Sequence, residues 1–214
     1  MAMTDSRWRQ GADIVSMFPT LVWKIQLDDA VRDAVAAQVL GLLETLREGE
    51  PPLACGQGWQ SERALHRHEA LGELVGYVEA AMGSVLRFLR IGADAFKITG
   101  CWATVLAPGG QHRLHSHPNN YLSAVYYLRT AAGADTVNFH DPRAQTGVIR
   151  PPVVELTAAN TDQVVVRVAD GMLLVFPAWL AHSVDANGSE RERISISFNM
   201  MFSDFTTTLA KPLW

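Results

Sequence analysis

The N-terminal part of the chain combines one β-rich run with two helical patterns. The run FPTLVWKIQL, residues 18–27, is rich in β-forming side chains and predicts a first strand. Asp28 and Asp29 then stand where a helix N-cap and first-turn negative charge belong, and valines and leucines recur at helical spacing as far as Gly49. A loop rich in Gly and Pro follows, which contains CGQGWQSER, and a second apolar stripe predicts a helix over about residues 69–89. The pattern therefore predicts a strand and two amphipathic helices.

Beyond Gly92 the pattern changes to short β-rich runs separated by Gly, Pro, Asn and Asp. The runs are KITGCWATVLAPGG, HRLHSH, YLSAVYYLR, DTVNFHDPR, VVELT, QVVVRV, GMLLVFP and RISISFNMMF. Such a series is typical of a β-sandwich or barrel, and a parallel sheet is disfavoured because the helices precede the strands. The expected fold class is α+β, with a jelly-roll core and the N-terminal helices packed on one sheet. A length of 214 residues suits a single domain, with a weakly ordered start at 1–17, a strand and two helices at 18–92, and the β core at 93–206.

Composition and charge narrow the classes of partner. Hydrophobic residues make up 48% and charged residues 19% of the chain, which is ordinary globular usage. The formal net charge of -4 gives no excess of positive charge of the kind that binds nucleic acid, so nucleic acid is not an expected partner. The N-terminus has no signal-peptide pattern, no apolar run reaches the roughly 20 residues of a membrane span, and Cys55 and Cys101 form no CxxC motif. We therefore expect a cytoplasmic protein with no membrane segment and no disulfide framework.

Histidines are concentrated at the start of HRLHSHPNNYLSAVYYL. Side chains two positions apart on a strand share a face, so His115 and His117 would project together and could bind one metal ion. His182 follows a buried run in GMLLVFPAWLAHSV, where a histidine needs a polar partner or a metal because an unsatisfied buried imidazole is costly. These three histidines form the predicted metal site. Asp141 in NFHDPR is an alternative ligand, and His112 is expected to be an exposed loop residue.

The run RISISFN, residues 193–199, alternates strictly between polar and apolar side chains. Its apolar face is expected to pack against another layer, such as the helices, and its polar face then lines the interior. That polar face includes Arg193, and a buried unpaired guanidinium is strongly disfavoured. A carboxylate ligand is the natural partner because it accepts the planar fork of arginine with both oxygens.

The order of these motifs resembles the iron(II)- and 2-oxoglutarate-dependent oxygenases. More narrowly, MFPTLVWKIQL, HSHPNNYLSAVYYL, FPAWLAHSV and RISISFN are similar to the family of putative 2-oxoglutarate-Fe(II) oxygenases of bacteria and phages. The resemblance spans residues 18–202 and implies a double-stranded β-helix, Fe(II) as the metal and 2-oxoglutarate as co-substrate. It also implies that His115 and His182 bind iron. Arg193 would bind the distal carboxylate of 2-oxoglutarate, and Tyr127 would contact the same carboxylate.

His117 stands where this superfamily usually has Asp or Glu. Three neutral imidazoles leave the charge of iron(II) uncancelled, and dianionic 2-oxoglutarate would compensate for it. Three-histidine sites also occur in related β-fold dioxygenases that use no 2-oxoglutarate. A dioxygenase of that kind is therefore an alternative function.

A second resemblance is to the cupins. Gly171, Pro177 and His182 resemble the second cupin motif, and Gly110 followed by HRLHSH resembles the first. Trp179 stands where a cupin would have Gly, and no Glu follows the paired histidines at the expected distance. This resemblance implies the same β-helix fold, but a metal-binding protein that senses or stores a small carboxylate. Under the oxygenase hypothesis the expected substrate is a small molecule or a peptide, and the chain is a candidate homodimer.

Overall fold

The computed structural model describes residues 13–92, 95–143, 145 and 148–205. Most of the predicted weakly ordered start, at 1–12, and residue 206 at the predicted end of the core lie outside the described residues. The helices are α1 (Asp29–Leu46) and α2 (Gly72–Phe88). The strands are β1 (Trp23–Gln26), β2 (Gly58–Gln60), β3 (Phe96–Leu106), β4 (His112–His115), β5 (Leu122–Arg129), β6 (Thr136–His140), β7 (Gln163–Arg167), β8 (Met172–Pro177), β9 (His182–Val184) and β10 (Arg193–Phe202).

The strands form two antiparallel sheets. The larger sheet has the order β1-β8-β5-β10-β3-β2, and the smaller sheet has the order β4-β9-β6-β7. Side chains from both sheets meet in one apolar cluster, in which Tyr127 and Phe176 of the larger sheet pack with Val137 and Phe139 of the smaller one. This architecture confirms the predicted α+β class with a jelly-roll core.

Both helices pack on the outer face of the larger sheet. Phe198 of β10 is fully buried in one core with Val39 of α1 and Met82 of α2. The opposite face of β10 then points between the sheets, as the alternation in RISISFN predicts. Within the described part of the chain, neither helix combines the length and the apolar character needed to cross a bilayer.

The start of α1 is fixed by a side-chain cap. The carboxylate of Asp28 accepts a hydrogen bond from the backbone N–H of Ala30 at 3.0 Å, which satisfies one of the free donors of the first turn.

Replacing Asp28 with alanine is expected to lower the free energy of unfolding by about 1 kcal/mol, because that N–H loses its acceptor. Urea denaturation of the two proteins measures the difference. Asp28→Asn, which keeps a capping oxygen, is expected to behave like the wild type, and equal loss in both variants would contradict the capping role.

Several elements differ from the sequence-based prediction. The first strand covers only Trp23–Gln26 of the predicted 18–27, and the predicted second helix begins with a separate 3-10 turn at Glu69–Leu71. VVELT forms no strand, since Val154 is fully exposed and β propensity without a pairing partner does not suffice. The loop with CGQGWQSER instead contains β2, which pairs with β3.

Candidate metal centre

Three histidines meet where two strands of the smaller sheet pair. His115 ends β4 and lies opposite His182, which begins β9. His117 lies beyond the end of β4, and its backbone N–H donates to the carbonyl of Ala178 at 2.8 Å. One ring nitrogen of each histidine lies within 4.8 Å of the others. The structure therefore brings the three together, although His117 lies in the irregular segment just after β4 and not on the strand itself.

Backbone carbonyls fix the tautomers of two of these rings. Nδ1 of His115 is 2.7 Å from the carbonyl oxygen of Arg113, and Nδ1 of His182 is 2.9 Å from that of Leu180. A carbonyl oxygen only accepts hydrogen bonds, so Nδ1 carries the proton in each ring. Nε2 then keeps its lone pair, which is the form in which an imidazole binds a metal ion.

Burial also keeps two of these rings, those of His117 and His182, neutral. Burial first, and then repulsion from His182 and His115, lowers the pKa of His117 to about 3. Burial and the nearby His115 lower the pKa of His182 to about 4. A proton and a metal ion compete for the same lone pair, so rings that stay neutral near pH 7 are ready to bind metal. Three imidazoles fit a divalent transition metal such as iron(II).

Aromatic side chains surround the cluster on two sides. The ring of His182 lies 4.9 Å from that of Phe176 and 6.1 Å from that of Phe139, measured between centroids. Trp102 lies 5.7 Å from His117 and is buried, whereas Trp179 is exposed. The buried rings hold the imidazoles in place and keep water away from those sides.

Arg193 is buried deep in the same interior. Its side chain is 4% exposed, its Nε donates to the carbonyl of Ala134 at 3.0 Å, and its Cζ lies 5.2 Å from the ring centre of Tyr127. Burial lowers the pKa of Arg193 and raises the pKa of Tyr127 to about 12, so at neutral pH the hydroxyl stays protonated. Among the residues that the structure describes, no carboxylate forms an ion pair with Arg193. The site therefore presents a buried cation that an anionic ligand would neutralise.

A cavity of about 590 Å³ joins these groups. Its walls include all five predicted site residues, which are His115, His117, His182, Arg193 and Tyr127. Within the described ranges of the chain, neither Asp nor Glu lines it. The electrostatic character of the cavity is thus positive, although the whole chain carries a net charge of -4.

Two expectations about neighbouring residues need correction. His112 was expected in an exposed loop, but it belongs to β4, lines the cavity and has a pKa lowered to about 4, chiefly by burial. An irregularity in the pairing of β4 breaks the two-residue alternation between His112 and His115, and their rings lie 5.8 Å apart. Asp141, the alternative ligand, pairs with Arg143 at 2.8 Å and is not part of the histidine cluster.

The sequence matches one protein family. Residues 100–199 match the profile of the family described as putative 2OG-Fe(II) oxygenases, and this segment contains the three histidines, Tyr127 and Arg193. No protein with a curated description matches the sequence.

Solved structures share the fold. A prolyl-4-hydroxylase of Pseudomonas putida superposes with a TM-score of 0.58 at 18% identity, covering 84% of this chain and 92% of that one. A prolyl hydroxylase of Trichoplax adhaerens, in complex with a peptide of the hypoxia inducible factor, gives 0.58 at 13% identity over 89% and 87%. HygX of Streptomyces hygroscopicus, with nickel and 2-oxoglutarate bound, gives 0.58 at 13% identity over 86% and 83%. At these identities the likeness establishes the double-stranded β-helix fold.

Proposed function

We propose that this chain is an oxidoreductase that uses iron(II) and 2-oxoglutarate, since residues 100–199 match the family of putative 2OG-Fe(II) oxygenases, and that His115, His117 and His182 hold the iron. One observation carries the assignment of the ligands. Three imidazoles, two of them with Nδ1 tied to a carbonyl, converge beside a buried arginine that has no acidic partner in the described chain.

In this proposal Arg193 orients the co-substrate. The planar guanidinium donates two parallel hydrogen bonds to the distal carboxylate of 2-oxoglutarate, and the hydroxyl of Tyr127 donates a third. The lowered pKa of His117 and of His182 keeps both rings neutral. The two negative charges of the co-substrate would then balance a divalent metal that no carboxylate in the described part of the chain neutralises. Binding of metal and co-substrate should therefore reinforce each other.

Other residues around the site exclude water and fix the tautomers of two metal-binding histidines. Bound iron(II) and 2-oxoglutarate supply the oxidation, in which O2 is consumed, 2-oxoglutarate yields succinate and CO2, and one oxygen atom enters a C–H bond of the substrate. Phe176, Phe139 and Trp102 exclude water around the histidines. The carbonyls of Arg113 and Leu180 keep the Nδ1 protons of His115 and His182 in place.

Anaerobic addition of Fe(II) and then 2-oxoglutarate to the protein tests this function. We expect a visible metal-to-ligand charge-transfer band that needs both components, and succinate formation when O2 is admitted. Binding of 2-oxoglutarate without its consumption would favour the cupin-like alternative. Oxidation of a substrate without succinate would favour a three-histidine dioxygenase that needs no 2-oxoglutarate.

The wider setting of the enzyme is part of the same proposal. A small molecule or a peptide is the expected substrate, since the cavity of about 590 Å³ admits either a whole small molecule or one side chain. Cytoplasmic location and assembly as a homodimer stay predictions.

A further inference from the structure

Arg63 is held at the mouth of the cavity by a rigid backbone. Its carbonyl accepts a hydrogen bond from the backbone N–H of Cys101 at 2.9 Å. Two residues earlier, Ser61 exchanges hydrogen bonds with Ala103, through its N–H at 3.1 Å and its Oγ at 2.9 Å. Together with β2, these bonds attach the segment to β3, so Arg63 approaches the cavity from a fixed position.

The side chain of Arg63 is exposed and stacks on Trp102, next to the metal centre. Its Cζ is 4.8 Å from the ring centre of Trp102, the same ring that packs against His117. Within the ranges that the structure describes, no carboxylate forms an ion pair with it. Arg63 is thus a pre-positioned cation on the wall of a cavity that neither Asp nor Glu of the described chain lines.

Arg63 and Arg193 line the cavity at different positions along the paired strands β3 and β10. Arg63 stacks on Trp102 of β3, and Trp102 is paired with Ser197 of β10. Arg193 lies four residues before Ser197 on β10 and is paired with Leu106 of β3. Four residues along a strand correspond to about 13 Å, so one anion of the size of 2-oxoglutarate bound at Arg193 leaves Arg63 free for a second one.

We propose that the substrate carries an oxyanion, either a carboxylate or a phosphate, and that Arg63 binds it at the mouth of the cavity. This inference rests on the proposed function, because it assigns the Arg193 side to 2-oxoglutarate. A bound oxyanion would place the rest of the substrate over Trp102 and toward His117. Gln60, whose side chain already donates to Thr104 at 3.2 Å, lines the same mouth and offers its amide oxygen to uncharged parts of the substrate.

Calorimetric titration of simple anions measures this site. The protein is first saturated with Fe(II) and 2-oxoglutarate without O2, which occupies Arg193, and is then titrated with benzoate, with phenyl phosphate and with uncharged benzamide. We expect at least one anion to bind at least about ten-fold more tightly than benzamide, and Arg63→Gln to lose this preference. Arg67→Gln, which changes an exposed arginine outside the cavity wall, is the matched control and should keep it.

Each outcome decides the proposal. The tighter of the two anions identifies whether the oxyanion is a carboxylate or a phosphate. Equal binding of anions and benzamide, no binding of either anion, or an unchanged preference in Arg63→Gln would overturn it. Failure of the proposed function is detected separately, because the charge-transfer band would then be absent before any anion is added. Even in that case, the anion titrations of the wild type and of Arg63→Gln can be compared.

Discussion

Replacing His182 with alanine is expected to lower the affinity for iron(II) by more than about 100-fold and to abolish succinate formation. Loss of a residue that merely orients a metal ligand costs about 10- to 100-fold in metal affinity, and loss of a ligand itself should cost more. His182 is 4% exposed, and its ring centroid lies 4.3 Å from that of His115 and 5.1 Å from that of His117, so no solvent-exposed group can replace it easily. Anaerobic iron titration and a succinate assay measure both effects.

His140→Ala is the matched control for this experiment. His140 ends the neighbouring strand β6, and its Nε2 lies 3.0 Å from Oγ of Ser183, so its ring contacts that serine outside the cluster. We expect this variant to keep iron affinity and succinate formation. Circular dichroism shows whether each variant is folded, and a folded His182→Ala protein with wild-type iron affinity would remove His182 from the set of ligands.

The orientation of Arg193 could be predicted because it depends on a regular strand. Strict alternation in RISISFN places the polar side chains on one face of the strand and the apolar side chains on the other. Because the apolar face packs against the helices, the polar face with Arg193 points between the sheets. The cap of α1 is equally local, since Asp28 and Ala30 are near neighbours in sequence. Features of this kind follow from short-range periodicity and propensity.

The positions of His112 and His117 depend on departures from regularity. An irregular pairing of β4 with β9 turns His112 toward the cavity, and because β4 ends at His115, His117 lies in the irregular segment that follows. Arg63 was missed for a different reason, because its place is set by the pairing of β2 with β3, whose partner residues are 44 to 48 positions apart in sequence. The only local signal was β-forming Trp59 within a loop rich in Gly and Pro, and that signal is weak.

Arg193→Gln is expected to raise the Kd for 2-oxoglutarate by about 100-fold while iron(II) affinity stays unchanged. Removing one partner of a buried, hydrogen-bonded charge pair costs about 2 to 5 kcal/mol, and every 1.4 kcal/mol corresponds to about ten-fold in Kd. Glutamine keeps a polar side chain but lacks the positive charge and the two parallel N–H donors of the guanidinium group. Titration of the charge-transfer band with 2-oxoglutarate, at saturating anaerobic Fe(II), gives the Kd of each protein.

The same variant distinguishes a binding role from a structural one. In the free protein Arg193 donates to the carbonyls of Ala134 and Thr136 but also remains a buried cation without an acidic partner in the described chain. Its loss therefore removes favourable hydrogen bonds together with an unfavourable buried charge. We therefore expect the Tm of the free protein to change little, while the rise in Tm on adding Fe(II) and 2-oxoglutarate shrinks. Arg191→Gln, an exposed neighbour outside the cavity wall, should keep that rise. If Arg193→Gln instead lowers the Tm of the free protein and binds 2-oxoglutarate as tightly as the wild type, Arg193 stabilises the fold and the co-substrate's carboxylate is held elsewhere.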